Sequence, residues 1–174
     1  TDYDPASSYL SELGAAGAPH ADVMNYAGFL PAGIFWALAA ALLYLRSPKS
    51  GLMLAGALLL LGNAISYVGA SAFPCDAGCP MEGSEAQGMH NLVGVIGYLA
   101  TPPALFCLGI AFLKHNKPLA LLTFLTAAVC TAGFFAMAAP EADAIKGLAQ
   151  RSIDFTQFAW MFAAALMIRP ARIA

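Results

Sequence analysis

Two cysteines are the most reactive residues of the sequence. Cys75 and Cys79 are separated by Asp-Ala-Gly and flanked by prolines. Gly78 and the prolines can bend this stretch enough for the cysteines to form a small disulfide ring, which is the favoured interpretation. A copper site is the alternative, since thiolate and thioether ligands select Cu(I). Its ligands would be Cys75, Cys79, Met81 and His90; no cofactor is otherwise predicted.

Polar residues recur at steps of three and four within three otherwise apolar stretches, which places each set on one helix face. Ionisable groups inside a membrane span are costly and by default indicate a functional site. The alternative is that the polar groups only form hydrogen bonds between helices, which is the favoured interpretation for Asn63, Ser66, Ser71 and Thr101. Arg151 and Asp154, three residues apart on one helix face, can form an ion pair, which would lower the cost of placing both in the membrane. The predicted pocket consists of Asn63, Tyr67, His90, Asn91, Gln150, Arg151 and Asp154.

The elements that must position these residues are long apolar stretches. Of the 174 residues, 60% are hydrophobic and only 10% are charged, whereas a soluble domain carries about 25% charged residues. Four stretches are long enough to cross a membrane, which takes a helix of about 20 residues. A fifth, 155–168, spans only if it extends back to about residue 144. The four are 27–45, 51–73, 92–113 and 119–139.

These stretches predict an all-α, polytopic membrane bundle with five transmembrane helices. The expected division is an N-terminal segment, 1–22, followed by a single bundle, 23–170, with an outer loop at 74–88. Pro102 and Pro103 are expected to kink the third span. The net charge of −2 provides no basic field for nucleic acid, which is excluded as a partner.

The charges predict how the chain is oriented. Six of the eight basic residues flank the expected spans on one side, which should face the cytoplasm: Arg46, Lys49, Lys114, Lys117, Arg169 and Arg172. The ten acidic residues lie on the other side or in the outer half of a helix. The expected location is the cytoplasmic (inner) membrane, with the C-terminus inside and the N-terminus outside. A signal or further helix is therefore expected upstream of Thr1.

Several local strings resemble the domain-of-unknown-function 998 family of prokaryotic membrane proteins. They are Tyr-Leu-Ser-Glu-Leu at 9–13, Asn25, the cysteine loop at 73–80, His90, and Gly-Leu-Ala-Gln-Arg at 147–151. The resemblance implies six helices, the first of which precedes the Ser-Glu segment. It implies no activity.

Three functions are compatible with these features. The preferred one is a binding protein or accessory subunit whose outward-facing pocket holds a lipid, quinone or other small apolar ligand, with membrane lipid and other membrane subunits as partners. The second is a hydrolase acting on lipid head groups, which needs a nucleophile, a base and an anion stabiliser. Its candidates are Asp76, His90, Arg151 and Asp154, with Ser66 or Ser71 as nucleophile. The third is copper binding at the cysteine loop.

Overall fold

The structure, a computed structural model, describes residues 3–168, apart from the side chain of Pro140. Arg169 and Arg172, two of the six basic residues expected on the cytoplasmic side, lie outside the described residues, as does Thr1. Within residues 3–168 every regular element is helical. A 3₁₀ turn at Leu10–Gly14 and a π-helical stretch at Val23–Phe29 precede the α-helices. These are α1 Leu30–Arg46, α2 Gly51–Ala72, α3 Glu85–Phe112, α4 Lys117–Ala138 and, after a 3₁₀ turn at Pro140–Ile145, α5 Lys146–Met167.

Four helices in the described part of the chain are long and apolar enough to cross a membrane: Val23–Arg46, Gly51–Ala72, Glu85–Phe112 and Lys117–Ala138. The prediction of an all-helical membrane protein is confirmed, and the count of five spans stays a prediction. Helix α5 has 22 residues, enough for roughly 33 Å at 1.5 Å per residue. Its first half carries Lys146, Arg151 and Asp154, and these charges lower its hydropathy.

Side-chain caps set where three helices begin. Ser50 accepts from the backbone N–H of Met53 at the start of α2, and Asn116 accepts from Leu119 at the start of α4. Ser84 caps α3, which begins seven residues before the predicted start at residue 92. The apolar run underestimated this helix because its first two turns are polar. Helix α3 then continues without a break through Pro102 and Pro103.

The helices pack in chain order, each against its sequence neighbour, and the contact between α2 and α3 is the most extensive. Glycines permit this close approach. A Cβ atom on Gly62 would lie 2.6 Å from the Cβ of Ala100, and one on Gly97 would lie 2.6 Å from the Cβ of Ser66. Small residues at such contacts let helix backbones approach within a membrane, where van der Waals packing drives association.

Candidate functional site

The disulfide loop covers one end of the bundle. Cys75 and Cys79 are bonded to each other, as the spacing predicted. The turn between them needs a left-handed backbone at Gly78 (φ 80°) and also at Cys79 (φ 44°), a conformation that is uncommon outside glycine. Cys75 is fully buried and Cys79 nearly so. The disulfide therefore belongs to the packed structure and is not a surface clip.

Gln87, in the first turn of α3, holds the loop in place. Its side chain is fully buried. Its Oε1 accepts from the backbone N–H of Asp76 at 2.7 Å, and its Nε2 donates to the carbonyl of Pro80 at 2.7 Å. The Asp76 carboxylate accepts from both the N–H and the hydroxyl of Ser84, and these bonds lower the pKa of Asp76.

The N-terminal segment lies over the same end. The N–H of Ala16 donates to the carbonyl of Cys75 at 2.8 Å, and the N–H of Leu148 donates to the carbonyl of Ala6 at 3.0 Å. Leu10 donates its N–H to Oε1 of Gln150 at 2.5 Å. These contacts join the beginning of the chain to the disulfide loop and to the start of α5.

Arg151 anchors this segment and does not pair with Asp154. Its guanidinium donates to the carbonyls of Pro5 and Ser8, at 2.8 and 2.9 Å, and to the hydroxyl of Tyr3. The ion pair that the spacing allowed with Asp154 does not form: between residues 3 and 168 the one ion pair joins Lys146 to Asp143. The backbone carbonyls of the N-terminal segment outcompete the carboxylate, because together they offer the planar guanidinium several acceptors at once.

A cavity of about 650 Å³ lies beneath the loop and the N-terminal segment, between α2, α3, α4 and α5. Six of the seven pocket residues predicted from the sequence line it; Arg151 does not. The six are Asn63, Tyr67, His90, Asn91, Gln150 and Asp154. Aromatic and aliphatic side chains make up much of the remaining wall, among them Phe29, Tyr98, Phe134 and Met137.

Hydrogen bonds fix most of the polar groups in the wall. The hydroxyl of Tyr67 donates to Oδ1 of Asp154 at 2.9 Å. Nε2 of Gln150 donates to the hydroxyl of Tyr98, also at 2.9 Å. Nδ2 of Asn91 donates to the carbonyls of Pro80 and Met81, which follow Cys79 in the disulfide loop. Tyr98, which lies on the polar face predicted for the third span but was not among the seven predicted pocket residues, thus also belongs to the site.

Asn63 is the exception. Its Oδ1 accepts from the Thr101 hydroxyl at 3.1 Å, but its Nδ2 is buried and has no hydrogen-bond partner. Only 4% of the residue is exposed. A buried donor without a partner costs about 1–3 kcal/mol, and such groups are rare in native proteins unless water or a ligand satisfies them.

His90 lies beside the disulfide. Nδ1 is 2.9 Å from the carbonyl of Phe73, and since a carbonyl only accepts, Nδ1 carries a proton; in the neutral ring Nε2 then keeps its lone pair. One ring nitrogen of His90 and both sulfur atoms lie within 4.8 Å of one another. Met81, the fourth predicted copper ligand, is 88% exposed.

The groups proposed for hydrolysis are engaged elsewhere. Asp76 is bound to Ser84, Arg151 to the N-terminal segment, and Asp154 to Tyr67. Within the described residues no hydrogen bond connects a serine, His90 and an acidic residue in series. The geometry lends the hydrolase alternative no support.

These features define a class: an integral membrane protein of packed helices with a cavity under a disulfide-linked loop. The chain belongs to the family described as "Protein of unknown function (DUF998)", whose model matches residues 1–167. No curated protein and no solved structure matches the chain.

Proposed function

We propose that the cavity binds a small amphiphilic molecule, a lipid or a quinone, with an apolar body and an oxygen acceptor in its head. The observation that carries this proposal is the unpartnered amide of Asn63 in the cavity wall. Its Nδ2 can donate only, so the group that satisfies it must be an acceptor such as a carbonyl or ester oxygen.

The remaining wall suits the body of such a molecule. Phe29, Tyr67, Tyr98 and Phe134 present aromatic surface, and the Tyr67–Asp154 and Gln150–Tyr98 pairs supply polar groups at fixed positions. A few placed polar groups in a mostly apolar cavity of about 300–1,000 Å³ are typical of small-molecule sites. The site would serve equally in a separate binding protein or in an accessory subunit of a larger membrane complex.

The charges support an outward-facing cavity in the cytoplasmic membrane, with α5 as a fifth span. Arg46, Lys49, Lys114 and Lys117 lie at the end of the bundle remote from the disulfide loop. Because basic residues are retained in the cytoplasm, the disulfide loop and the cavity beneath it would face the opposite side. That side is oxidising in bacteria, which suits a disulfide.

Two glycines of α3 allow a matched test. A Cβ atom would meet nothing within 4 Å on either Gly94, which lines the cavity, or Gly88, which does not. Gly94→Leu places an isobutyl group into the cavity without a backbone clash. Gly88→Leu makes the same chemical change on the same helix, at an exposed position outside the cavity.

The measurement is native mass spectrometry of the detergent-solubilised protein, first for co-purified small molecules and then with added decyl-benzoquinone or phosphatidylethanolamine. We expect wild type and Gly88→Leu to retain a bound molecule and Gly94→Leu to lose it. Asn63→Leu should also weaken binding while costing little stability, since Thr101 can still donate to the carbonyl of Gly97 at 2.8 Å. Equal binding by Gly94→Leu and wild type would refute the proposal.

Copper binding is a second candidate, favoured by the convergence of Cys75, Cys79 and His90. It requires that a dithiol first reduce the disulfide, becoming oxidised itself, and that the two resulting thiols release their protons to solvent as the thiolates bind the metal. A metal-bound histidine commonly donates its other ring N–H to a carbonyl, as Nδ1 of His90 does to Phe73.

The copper test is competition for Cu(I) against a chromophoric chelator. The reduced protein should bind one equivalent and the oxidised protein none. Cys75→Ser and His90→Gln should lose that binding, whereas Cys107→Ser, which changes a free cysteine of α3, should keep it. Binding that survives Cys75→Ser would reject this candidate.

A further inference from the structure

A second cavity, also of about 650 Å³, lies at the end of the bundle remote from the disulfide loop. It is formed where α1 and α5 end and α4 begins. Two of its lining residues, Arg46 and Lys117, carry a positive charge. Among the described residues that line it, none is acidic. The cavity is therefore electropositive, and nothing in the proposed function uses it.

Ser47 provides an independent sign of a ligand. It lines this cavity and is only 6% exposed, yet its hydroxyl has no hydrogen-bond partner. A hydroxyl can donate to an anionic oxygen, and burial without a partner is unfavourable. An oxygen-rich anion in the cavity would satisfy Ser47 and neutralise Arg46 and Lys117 together.

The apolar part of the lining indicates which kind of anion. Phe112 and Leu119, both buried, form part of the cavity wall. Leu166 also lines it and is 70% exposed on the outside of the helix bundle. The cavity is thus continuous with surface that would contact acyl chains in a membrane. A free phosphate ion would leave this apolar surface unused.

We propose that this cavity binds the phosphate head group of an anionic phospholipid, with Arg46 and Lys117 facing the phosphate and Ser47 donating to it. Basic cavities between spanning helices on the cytoplasmic side are suited to such head groups. The site differs from the proposed outer site in position, charge and ligand class, so either can fail without the other.

The chain offers a matched pair of lysines for the test. Lys117, the first residue of α4, lines the cavity, whereas Lys114, three residues earlier in the exposed turn between α3 and α4, does not. Binding of phosphatidylglycerol to the full chain in detergent is measured by native mass spectrometry, with phosphatidylcholine and inorganic phosphate as separate arms. Each cation near a membrane surface contributes about 1 kcal/mol to anionic lipid binding, which is roughly a fivefold change in affinity.

We expect Lys117→Gln and Arg46→Gln each to weaken phosphatidylglycerol binding roughly fivefold, with Lys114→Gln unchanged. Ser47→Ala should weaken binding too, while leaving unfolding of the lipid-free protein unchanged or shifted to higher temperature, because it removes an unpartnered hydroxyl. Equal losses of phosphatidylglycerol binding in Lys114→Gln and Lys117→Gln would overturn the proposed site, because they would show that the lipid responds to the overall positive charge of this surface and not to the cavity. Inorganic phosphate binding as tightly as the lipid would overturn the lipid assignment.

Discussion

Replacement of Gly147 by alanine tests how the N-terminal segment is held. Gly147 is the second residue of α5, and a Cβ atom there would lie closer than 3.0 Å to the carbonyl oxygens of Pro5, Ala6 and Ser8. These are backbone atoms, so no side-chain rotation relieves the clash. The segment must move away from α5.

Two opposing effects decide whether Gly147→Ala stabilises or destabilises the protein. Alanine is favoured over glycine in a helix by up to about 1 kcal/mol, which alone would stabilise α5. Displacing the segment breaks the Leu148–Ala6 hydrogen bond and the two from Arg151. A neutral bond contributes about 1 kcal/mol and a bond to a charged group about 1.5 kcal/mol or more, so roughly 4 kcal/mol of docking is at stake. The loss of these hydrogen bonds should outweigh the gain in helix propensity, so Gly147→Ala should loosen the N-terminal segment.

Hydrogen–deuterium exchange measures this locally. In Gly147→Ala the backbone amides of Leu10 and Leu148 should exchange faster, because their acceptors lie across the broken contact. Gly88→Ala, at a site with nothing within 4 Å, is the control. Unchanged exchange at both amides, or a rise in thermal stability of the size that helix propensity predicts, would refute the reasoning.

Arg151→Met removes the same contacts without a clash and should give the same pattern of exchange. If Arg151 instead paired with Asp154, Arg151→Met would give a different result. It would leave the Asp154 carboxylate buried without a partner and would destabilise α5 itself. Faster exchange confined to the N-terminal segment and the start of α5 would favour the anchoring role seen in the structure. Faster exchange throughout α5 would favour the ion pair.

Three further predictions concern the disulfide loop and the orientation. Alkylation without reductant should leave Cys75 and Cys79 unmodified, and mass analysis that finds both labelled would exclude the disulfide. In intact cells an impermeant thiol reagent should label a cysteine placed at position 82 but not one at position 115; the reverse would invert the topology. Hydrogen bonds from Ser84 lower the pKa of Asp76 in the folded protein. The ionised carboxylate should therefore stabilise the loop fully at any pH above about 4, the ordinary pKa of an aspartate. That stabilisation should be lost as the pH falls through the lower pKa of the folded state. Exchange of the Ser84 amide should report that loss, and Asp76→Asn should abolish its pH dependence.

The sequence predicts the positions of the helices well, because each depends on residues that are close together in the chain. Apolar length alone predicted the four spanning helices to within a few residues, except where α3 begins. There the Ser84-Glu-Ala-Gln87 pattern is typical of a helix start, and it indicates a helix where hydropathy indicates a loop. The same pattern would have drawn attention to Gln87, whose buried amide organises the disulfide loop.

Arg151 shows what the sequence could not provide. Its acceptors are backbone carbonyls 143 and 146 positions away, and a carbonyl is common to every residue type, so no residue identity signals the contact. Charge alone pointed to Asp154 as the nearest partner on the same helix. The one available hint was Gly147, four residues earlier and hence on the same helix face, which marks close approach of another backbone.

Hydroxyl groups on α4 show how a polar group is satisfied without a ligand. On α4, Thr123, Thr126 and Thr131 each donate to the carbonyl one turn earlier, so their hydroxyls are satisfied within the helix and need no partner elsewhere. Asn63 and Ser47 lack such a partner, and each lies in the wall of a cavity, at opposite ends of the bundle. Three other buried groups also lack a partner, Oδ1 of Asn25, Nε1 of Trp36 and Oε1 of Gln157, and none of these residues lines either cavity. An unpartnered group therefore does not mark a ligand site by itself. At Asn63 and Ser47 it coincides with a cavity whose other polar or charged groups suit a ligand, and that coincidence supports two separate sites.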